Sequence, residues 1–164
     1  MSRIKSGAMK VKRDWVNVPE TVLAAASRCK KANPEHIAII SLANDSPSIC
    51  GDAYLSEQVI FNLLDNAYKY GGETEVRVHA RLDKGDVLIS VSDDGSGIKP
   101  AKLGRIFEKF FRVGATDGRN AGTGLGLSTC RSLVESMGGT ITANSPAARR
   151  CGTRLTVRLA AATQ

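Results

Sequence analysis

Two runs that alternate between apolar and polar residues, joined by a very short turn, constrain this fold more than any other feature of the sequence. The runs are "TEVRVHARL" and "VLISVSD", and the turn between them is "DKGD". A period of two predicts half-buried strands, and so short a connection can join only antiparallel neighbours. The chain therefore contains a β-hairpin, which argues against a doubly wound sheet of parallel strands.

Periodicity and turn residues predict the remaining elements. Further strands are expected in "DWVNV", "HIAIISL", "SICGD", "GTITANS" and "GTRLTVRLA", and helices in "ETVLAAASRCKKAN", from Asp52 to Tyr70 and from about Leu125 to Met137. The segment from Gly95 to Ala121 is rich in glycine and charge and lacks long periodic runs, as functional loops do. With 164 residues, 42% of them hydrophobic, the chain is expected to form one α/β domain with a mixed sheet.

Composition excludes several classes of protein. The net charge is +7, but the basic residues are scattered and no aromatic residues are interleaved with them, so a surface that tolerates an anionic ligand is favoured over a nucleic-acid interface. The four cysteines form no C-x-x-C pair, which argues against structural zinc and predicts free thiols in a reducing compartment. No apolar run approaches the roughly 18 residues that span a bilayer, and no signal peptide opens the chain, so a soluble, cytosolic piece is expected.

The helix expected from Asp52 to Tyr70 has an unusual polar face. Asn62, Asn66 and Lys69 fall on it at i, i+4 and i+7, opposite an apolar face formed by Ile60, Leu63, Leu64 and Ala67. A solvated face is the simpler interpretation, but Glu or Lys would form helix better there than two asparagines. An amide oxygen can bind Mg²⁺, which takes further oxygens from water and phosphates, and Lys69 could neutralise such phosphates.

A second cluster, "VSDDGSGI", lies at the end of a predicted strand. Gly95 and Gly97 are typical of a simple turn. They would also let a planar ring approach the backbone closely, beside a strand-end carboxylate. That carboxylate, Asp93, can accept a hydrogen bond from an exocyclic amine such as that of adenine.

Two further clusters follow. In "RIFEKFFRV", Phe107, Phe110 and Phe111 could pin a loop to the core, and Arg112 could contribute charge near a phosphate. "NAGTGLGLSTC" has glycines at alternate positions, but no Lys-Ser/Thr follows them, and their spacing is not the G-x-G-x-x-G of a dinucleotide-binding turn. What remains is a helix start whose free N–H groups favour an anion.

"NLLDNAYKY", "DDGSG", "IFEKFF" and "GTGLGL" occur in this order within about 65 residues. Together they resemble the N, G1, F and G2 boxes of the catalytic, ATP-binding domain of sensor histidine kinases, which shares the GHKL superfamily with gyrase B, the heat-shock protein of 90 kDa and the MutL proteins. The likeness runs from about Trp15 to Leu159. It implies the Bergerat fold, a two-layer α/β sandwich in which a mixed, mostly antiparallel sheet packs on helices below a mobile ATP lid.

The same resemblance implies the domain boundaries. Residues 11–164 are expected to form the catalytic domain, with the lid at about 99–121. Residues 1–10 resemble the end of a helical dimerisation domain or its linker.

The resemblance also implies roles for individual residues. Asn66 matches the Mg²⁺-binding asparagine and Asn62 its partner one turn earlier, while Asp93 matches the aspartate that binds the adenine amine. Asn62, the phosphate-contacting Lys69 and Arg112 are the residues expected to act in phosphoryl transfer. Further contacts with ATP are expected from Tyr70, Gly95, Gly97, Ile98, Phe107, Gly122, Thr123, Gly124, Leu125, Gly126 and Leu127.

One position distinguishes the kinases from their relatives. Family members that hydrolyse ATP resemble E-x-x-x-N in the N box, where the glutamate activates water as a general base. Asn62 occupies that place here, and an amide cannot take the proton, so phosphoryl transfer is favoured over a conformational ATPase. An anti-sigma-type serine kinase and a nucleotide-binding module without catalysis are the alternatives. The first usually lacks so full an F box, and the second would be free to lose Asn66 or the glycines.

The phosphoacceptor that the family implies is absent from this sequence. His36 and His79 lie in strand-like runs and not in an H-E-x-[RK]-[ST]-P segment, so the domain alone is expected to be inactive. The expected partners are the dimerisation domain of the same kinase and a response regulator, with no nucleic acid. The whole protein is expected to be a homodimeric sensor, anchored in the membrane through missing N-terminal parts, with this domain in the cytoplasm. "KRDW" and "CRSLVESMGGTITA" resemble the potassium-responsive sensor kinases.

Overall fold

The computed structural model describes residues 10–43, 48–71, 75–111, 126–146 and 151–162. The elements in chain order are β1 (Asp14–Asn17), α1 (Val18–Ala32), β2 (Ala38–Leu42), β3 (Ser48–Gly51), α2 (Ala53–Tyr70), β4 (Val76–Asp83), β5 (Asp86–Ser92), α3 (Pro100–Leu103), α4 (Gly126–Ser136), β6 (Thr140–Asn144) and β7 (Arg154–Ala160). All strands and helices that periodicity predicts are present. Among the described residues α3 is the one addition, a single turn inside the segment expected to be irregular.

Five strands form the main sheet in the order β2-β4-β5-β7-β6, with β2 parallel to β4 and the other neighbours antiparallel. The predicted hairpin is β4–β5. Asp83 pairs with Asp86, which leaves Lys84 and Gly85 as a two-residue loop. Both loop residues have positive φ, 52° and 86°, as the twist of such a hairpin requires. The prediction of a mixed, mostly antiparallel sheet is confirmed.

One face of this sheet carries the core, and the other is polar. Along β4 the valines and the alanine are buried, whereas Arg77, His79 and Arg81 point to the opposite face. Helices α1, α2 and α4 share one buried cluster with the inward-facing residues of the strands, so the fold is the predicted two-layer sandwich. Strands β1 and β3 form a separate two-stranded antiparallel sheet, which periodicity did not predict.

Helix α2 carries much of the candidate site, and its position is fixed by its apolar face. That face is buried as predicted, with exposures of at most 5% for Ile60, Leu63, Leu64 and Ala67. Burying a leucine side chain stabilises a fold by about 1.5–3 kcal/mol. Asp52 caps the start of the helix by accepting the backbone N–H of Leu55 at 3.1 Å, and Gly71 ends it.

The two histidines have different surroundings. His79 lies in β4, as predicted, but the strand prediction is wrong for His36, because β2 begins only at Ala38. The backbone N–H of His36 donates to the carbonyl of Asn33, and this turn after α1 directs the imidazole onto Tyr68 of α2. The two rings stack with centroids 4.2 Å apart and an interplanar angle of 2°. Neither histidine begins an H-E-x-[RK]-[ST]-P segment.

All four cysteines are free thiols, as predicted. Burial raises the pKa of the Cys29 thiol to about 11 and that of the Cys130 thiol to about 12, so both pack as small apolar groups. Among the described residues there is no helix with the length and apolar character that a membrane crossing requires.

Candidate functional site

The candidate site forms where the C-terminal end of α2 meets the turn that follows β5. The two segments approach so closely that both need glycine. A Cβ added to Gly71 would lie 2.8 Å from the Cβ of Asp93, and one added to Gly95 would lie 2.8 Å from the Cα of Gly71. Gly95 is a predicted site residue, whereas Gly71 is not, because only the contact between distant segments reveals its role.

Asp93 is a buried carboxylate at the centre of this contact, with 7% of its surface exposed. Its Oδ1 accepts the backbone N–H of Gly95 at 2.9 Å, and the backbone of Thr153 also hydrogen-bonds to it. Burial raises the pKa of Asp93, an effect that these two bonds oppose and the charge of Asp94 reinforces. A carboxylate can accept about four hydrogen bonds, so Asp93 keeps acceptor capacity for an N–H group of a ligand.

The residues just before β7 pack against the turn that follows β5. Gly152 has a φ of 117°, and a Cβ at this position would collide with the carbonyl oxygen of Asp93. The backbone N–H of Asp93 donates to the carbonyl of Thr153 at 3.0 Å. Sequence reasoning missed both residues, and the signal that could have found them is a Gly-Thr pair directly before a predicted strand.

Ser145, just after β6, holds the far end of the turn. Its Oγ accepts the backbone N–H of Ile98 at 2.8 Å and donates to the carbonyl of Gly152 at 2.8 Å. Gly97 has a φ of 76°, and a Cβ there would lie 2.7 Å from that Oγ. The structure therefore brings the predicted residues Asp93, Gly95, Gly97 and Ile98 together in one locked turn, and adds Ser145 to them.

The polar face of α2 leads into the same corner of the molecule. Asn66 is half-buried, and its side chain forms no hydrogen bond to any described residue. Lys69 is exposed and ion-pairs with Asp65 at 2.8 Å. Tyr70, the last residue of the helix, is 40% exposed. Among the described residues, nothing therefore engages the amide of Asn66, which lies about one turn before the contact between α2 and the turn after β5.

Asn62, the other asparagine of this face, is committed to its neighbours. Its Oδ1 accepts a hydrogen bond from Nε2 of Gln58 at 3.2 Å, and its amide also hydrogen-bonds to the buried thiol of Cys130 on α4. Asn62 thus joins α2 to α4, a contact that helical periodicity alone does not predict.

The phenylalanine cluster is split between the core and the solvent. Ile106 is buried, and Phe107 and Phe111 pack against the core, with the guanidinium of Arg105 4.7 Å from the Phe111 ring centroid. Phe110 is 72% exposed and has a positive φ of 63°. Phe107 and Phe111 therefore pin the segment after α3 to the core, as the sequence predicts, whereas the prediction is wrong for Phe110.

The glycine-rich stretch before α4 can be followed only in part. Arg112, Gly122, Thr123, Gly124 and Leu125 lie outside the described residues, as does most of the predicted lid beyond residue 111. Gly126 is exposed at the start of α4, and Leu127 is half-buried against the core. The phosphate cradle therefore stays a prediction.

Within the described ranges, no three His, Cys, Asp or Glu side chains come together as a metal site. An ion at this corner would therefore depend on amide oxygens such as that of Asn66 and on oxygens of its ligand and of water.

The sequence of this chain is similar to that of a known protein family and of several sensor proteins. The model of the family "Histidine kinase-, DNA gyrase B-, and HSP90-like ATPase" matches residues 51–163. Sensor protein KdpD of Clostridium acetobutylicum is 39% identical over 148 residues, which cover 87% of this chain and 16% of that protein. Sensor protein KdpD of Escherichia coli is 37% identical over 153 residues, or 92% of this chain and 17% of that protein. The chain therefore spans about a sixth of the length of these relatives.

Solved structures of kinases have the same fold. The mycobacterial sensor histidine kinase MprB matches with a TM-score of 0.78 and 25% identity, over 93% of this chain and 99% of that one. Full-length ShkA, in complex with AMPPNP, matches with a TM-score of 0.79 and 26% identity, over 99% of this chain and 34% of that one.

The chain belongs to the family of histidine kinase-, DNA gyrase B- and HSP90-like ATPases. Within this family it is the catalytic ATPase domain of a two-component sensor histidine kinase, similar to the KdpD sensor proteins.

Proposed function

We propose that this domain binds ATP with Mg²⁺ and presents the γ-phosphate for transfer to a histidine on a separate dimerisation domain. The observation that carries the proposal is the buried carboxylate of Asp93, which keeps acceptor capacity at the end of α2. The AMPPNP bound to ShkA, whose fold this chain matches over 99% of its length, supports a nucleotide as the ligand.

Asp93 selects the base in this proposal. Adenine presents an exocyclic N–H₂ donor where guanine presents a carbonyl acceptor. A carboxylate accepts the first and repels the second, and the low dielectric around a buried group strengthens both effects. The close glycine contacts of Gly71 and Gly95 fix the carboxylate in one position. The domain is therefore expected to prefer adenine nucleotides to guanine nucleotides.

Asn66 fits the role of the protein ligand to Mg²⁺. Its amide oxygen is of the type that this ion takes, and no described residue competes for it. When bound, Mg²⁺ neutralises charge on the phosphate oxygens. Lys69 adds a positive charge three residues further along the helix, and Arg112 is proposed, from the sequence alone, to add another.

Asn62 disfavours the hydrolysis of ATP by water. Its amide cannot act as a general base, and it is already bonded to Gln58 and Cys130. The domain therefore holds ATP without activating water, and transfer needs an acceptor histidine from elsewhere. The similarity to the KdpD sensor proteins supports the proposed partners of the whole protein: the dimerisation domain within a homodimer, a response regulator, and a membrane anchor outside this chain. A response to potassium stays a prediction.

Titration with ADP and Mg²⁺ by calorimetry tests the binding site. We expect the unmodified domain to bind ADP more tightly than GDP, and Asp93→Asn to weaken ADP binding about tenfold or more, since a hydrogen bond to a charged group contributes about 1.5–3 kcal/mol. Asp86→Asn is the matched control, because Asp86 lies at the other end of β5 and pairs with Arg158. Absence of both heat and a thermal shift for the unmodified domain at millimolar ADP would contradict the proposal.

ATP turnover by the domain alone tests the second part. We expect slow turnover and no labelling of the domain by γ-labelled ATP, because neither a general base nor an acceptor histidine is in place. Rapid turnover would support the alternative of a self-sufficient ATPase.

A further inference from the structure

Asp93 is followed directly by a second carboxylate, Asp94, at a site proposed to take a polyanionic nucleotide. The side chains of Asp93 and Asp94 lie in different surroundings. Asp93 is buried against Gly71, whereas Asp94 is 24% exposed and meets Arg77, which lies on the polar face of the sheet. The negative charge of Asp94, next to the proposed adenine contact, therefore pairs with a cation on the polar face of the sheet.

Arg77 reaches Asp94 with both ends of its guanidinium. Nη1 donates to Oδ1 at 3.3 Å, and Nη2 donates to Oδ2. Nε donates to Glu75 at 2.8 Å, so the planar group is held on two edges. In the β4–β5 ladder Arg77 lies opposite Ser92, two residues before Asp94. A bidentate pair of this kind fixes orientation as well as charge.

We propose that Arg77 is a positioning residue for the nucleotide site, holding and neutralising Asp94 so that Asp93 stays an ionised acceptor in a fixed orientation. The inference rests on the proposed role of Asp93 and extends the site to the opposite face of the sheet. Arg77 itself touches neither Asp93 nor the proposed nucleotide; it acts through Asp94.

Electrostatics explains why this pair matters to its neighbour. Burial raises the pKa of Asp93, and the charge of Asp94 raises it further. Arg77 offsets part of that charge, so without its guanidinium Asp93 would take up a proton at a higher pH. A protonated carboxyl group has one oxygen fewer to offer an amine, so nucleotide binding is lost as the pH falls through the pKa of Asp93 in the free domain.

The other charged groups on the neighbouring elements leave this assignment intact. On α2, Lys69 and Asp65 pair with each other, and beside β4 Glu75 is bound to Arg77. On β7, Arg154 is exposed at the start of the strand. None of these is a source of the pKa shift of Asp93, whereas Asp94 is.

The test is the affinity for Mg²⁺–ADP measured by calorimetry from about pH 4.5 to 8, a range above the usual pKa of an aspartate. We expect Arg77→Met to bind Mg²⁺–ADP close to normally at the alkaline end and about threefold to tenfold more weakly at the acidic end. The acid limb of its affinity profile, which is the pH range where affinity falls on acidification, should therefore move to higher pH. Asp94→Asn should move the limb to lower pH, and the double variant Arg77→Met/Asp94→Asn should follow Asp94→Asn. Arg77→Lys, which keeps the positive charge but not the bidentate hydrogen bonds, should recover most of the affinity at the acidic end.

Arg81→Met is the matched control, because Arg81 lies on the same strand and face and pairs with Asp83 at 3.7 Å. The inference would be overturned if the acid limb of Arg77→Met coincided with that of the control. It would also be overturned if Arg77→Met lost the same affinity at every pH and Asp94→Asn did not reverse that loss. If Arg77→Met fails to fold, Asp94→Asn alone decides by the direction in which its limb moves. Failure of the unmodified domain to bind ADP would instead contradict the proposed function.

Discussion

The turn around Asp93 and the polar face of α2 meet at one corner of the fold, but they are built in opposite ways. Around Asp93, glycine contacts and hydrogen bonds leave no space for an added side-chain atom. On α2, the side chain of Asn66 has no hydrogen bond within the described part of the chain, and Lys69 is exposed with a single ion pair. The turn has its shape before any ligand arrives. On the helix face, Asn62 is bonded to its neighbours, but no described residue engages the amide of Asn66.

This difference separates stability from binding. Substitution of a glycine in the turn is expected to change the fold and the proposed recognition of the base together, because the same contacts serve both. Substitution of Asn66 on the helix face is expected to change the proposed binding of phosphate and metal and to leave the free domain almost as stable as before. Single substitutions in each region, measured for stability and for nucleotide affinity, test whether the two regions can be separated in this way.

Gly152→Ala should have the largest effect. The new methyl group would collide with the carbonyl of Asp93, and the φ of 117° is one that L side chains rarely adopt. Backbone strain of about 1–2 kcal/mol and overpacking of about 1–3 kcal/mol together predict a loss of about 2–5 kcal/mol in the free energy of unfolding. Urea denaturation measures this loss, and ADP titration measures the accompanying loss of binding.

Gly138→Ala is its matched control. Gly138 also has a positive φ, 78°, but nothing lies within 4 Å of an added Cβ. Only backbone strain applies, so a loss of about 1 kcal/mol is expected, with normal ADP binding. Equal losses for the two variants would show that the contact between Gly152 and Asp93 relaxes at little cost.

Asn66→Ala should affect only the helix face. We expect binding of Mg²⁺–ADP to weaken on the order of tenfold, or about 1.4 kcal/mol. The free energy of unfolding should change by less than about 0.5 kcal/mol, because alanine is the better helix former. Titration with Mg²⁺ and again with a chelator separates the metal from the nucleotide. A variant that is as weak without the metal as with it would contradict the assignment of Asn66 as its ligand.

Asn62→Glu should change the chemistry of the helix face. The carboxylate restores E-x-x-x-N and can take a proton from water, so ATP hydrolysis is expected to rise on the order of tenfold, within the range of general-base catalysis. The variant also gives up a bond to the neighbouring thiol of Cys130, which should lower stability by about 1 kcal/mol. Asn62→Gln keeps the amide and serves as the control. A folded Asn62→Glu variant without faster turnover would show that Asn62 does not limit hydrolysis.

The smallest effect concerns the stability of the free domain against pH. Because the pKa of Asp93 is raised, the folded state binds this proton more tightly than the unfolded chain does. Its contribution to the free energy of unfolding therefore falls as the pH rises from the usual aspartate value through the raised one. Asp93→Asn should remove that fall and leave the free energy of unfolding at neutral pH equal to that of the unmodified domain or above it. Denaturation curves at several pH values measure the difference, and a markedly less stable variant at neutral pH would contradict it.

Much of this architecture could be predicted because it depends on short-range patterns. The β4–β5 hairpin follows from alternation and a two-residue loop, and the buried face of α2 follows from the spacing of its apolar residues. Asp93 could be chosen because a carboxylate followed by closely spaced glycines marks a strand end with an open backbone. In each case the deciding residues are neighbours in the sequence.

The remaining features depend on contacts between distant segments. Gly71 and Gly152 have roles only because the end of α2 and the start of β7 both press on Asp93. His36 continues an alternating run, yet the turn after α1 and the stacking partner Tyr68 take it out of the strand. Asn62 differs from Asn66 because its amide bonds to Cys130 on α4. Local periodicity carries no information about such partners.

Strand β2 is attached to the sheet differently from its neighbours. It lies at an edge and pairs with β4 through five parallel register positions, across a crossover that contains β3 and α2, whereas β5 pairs antiparallel through seven positions on each side. Pairing between segments so far apart in the chain forms late in folding, and an edge strand opens early. Amide hydrogen exchange should therefore be faster along β2 than along β5 and β7. Asp93 follows β5 and Thr153 precedes β7, so the proposed contact with the base lies beside the strands that are expected to exchange most slowly.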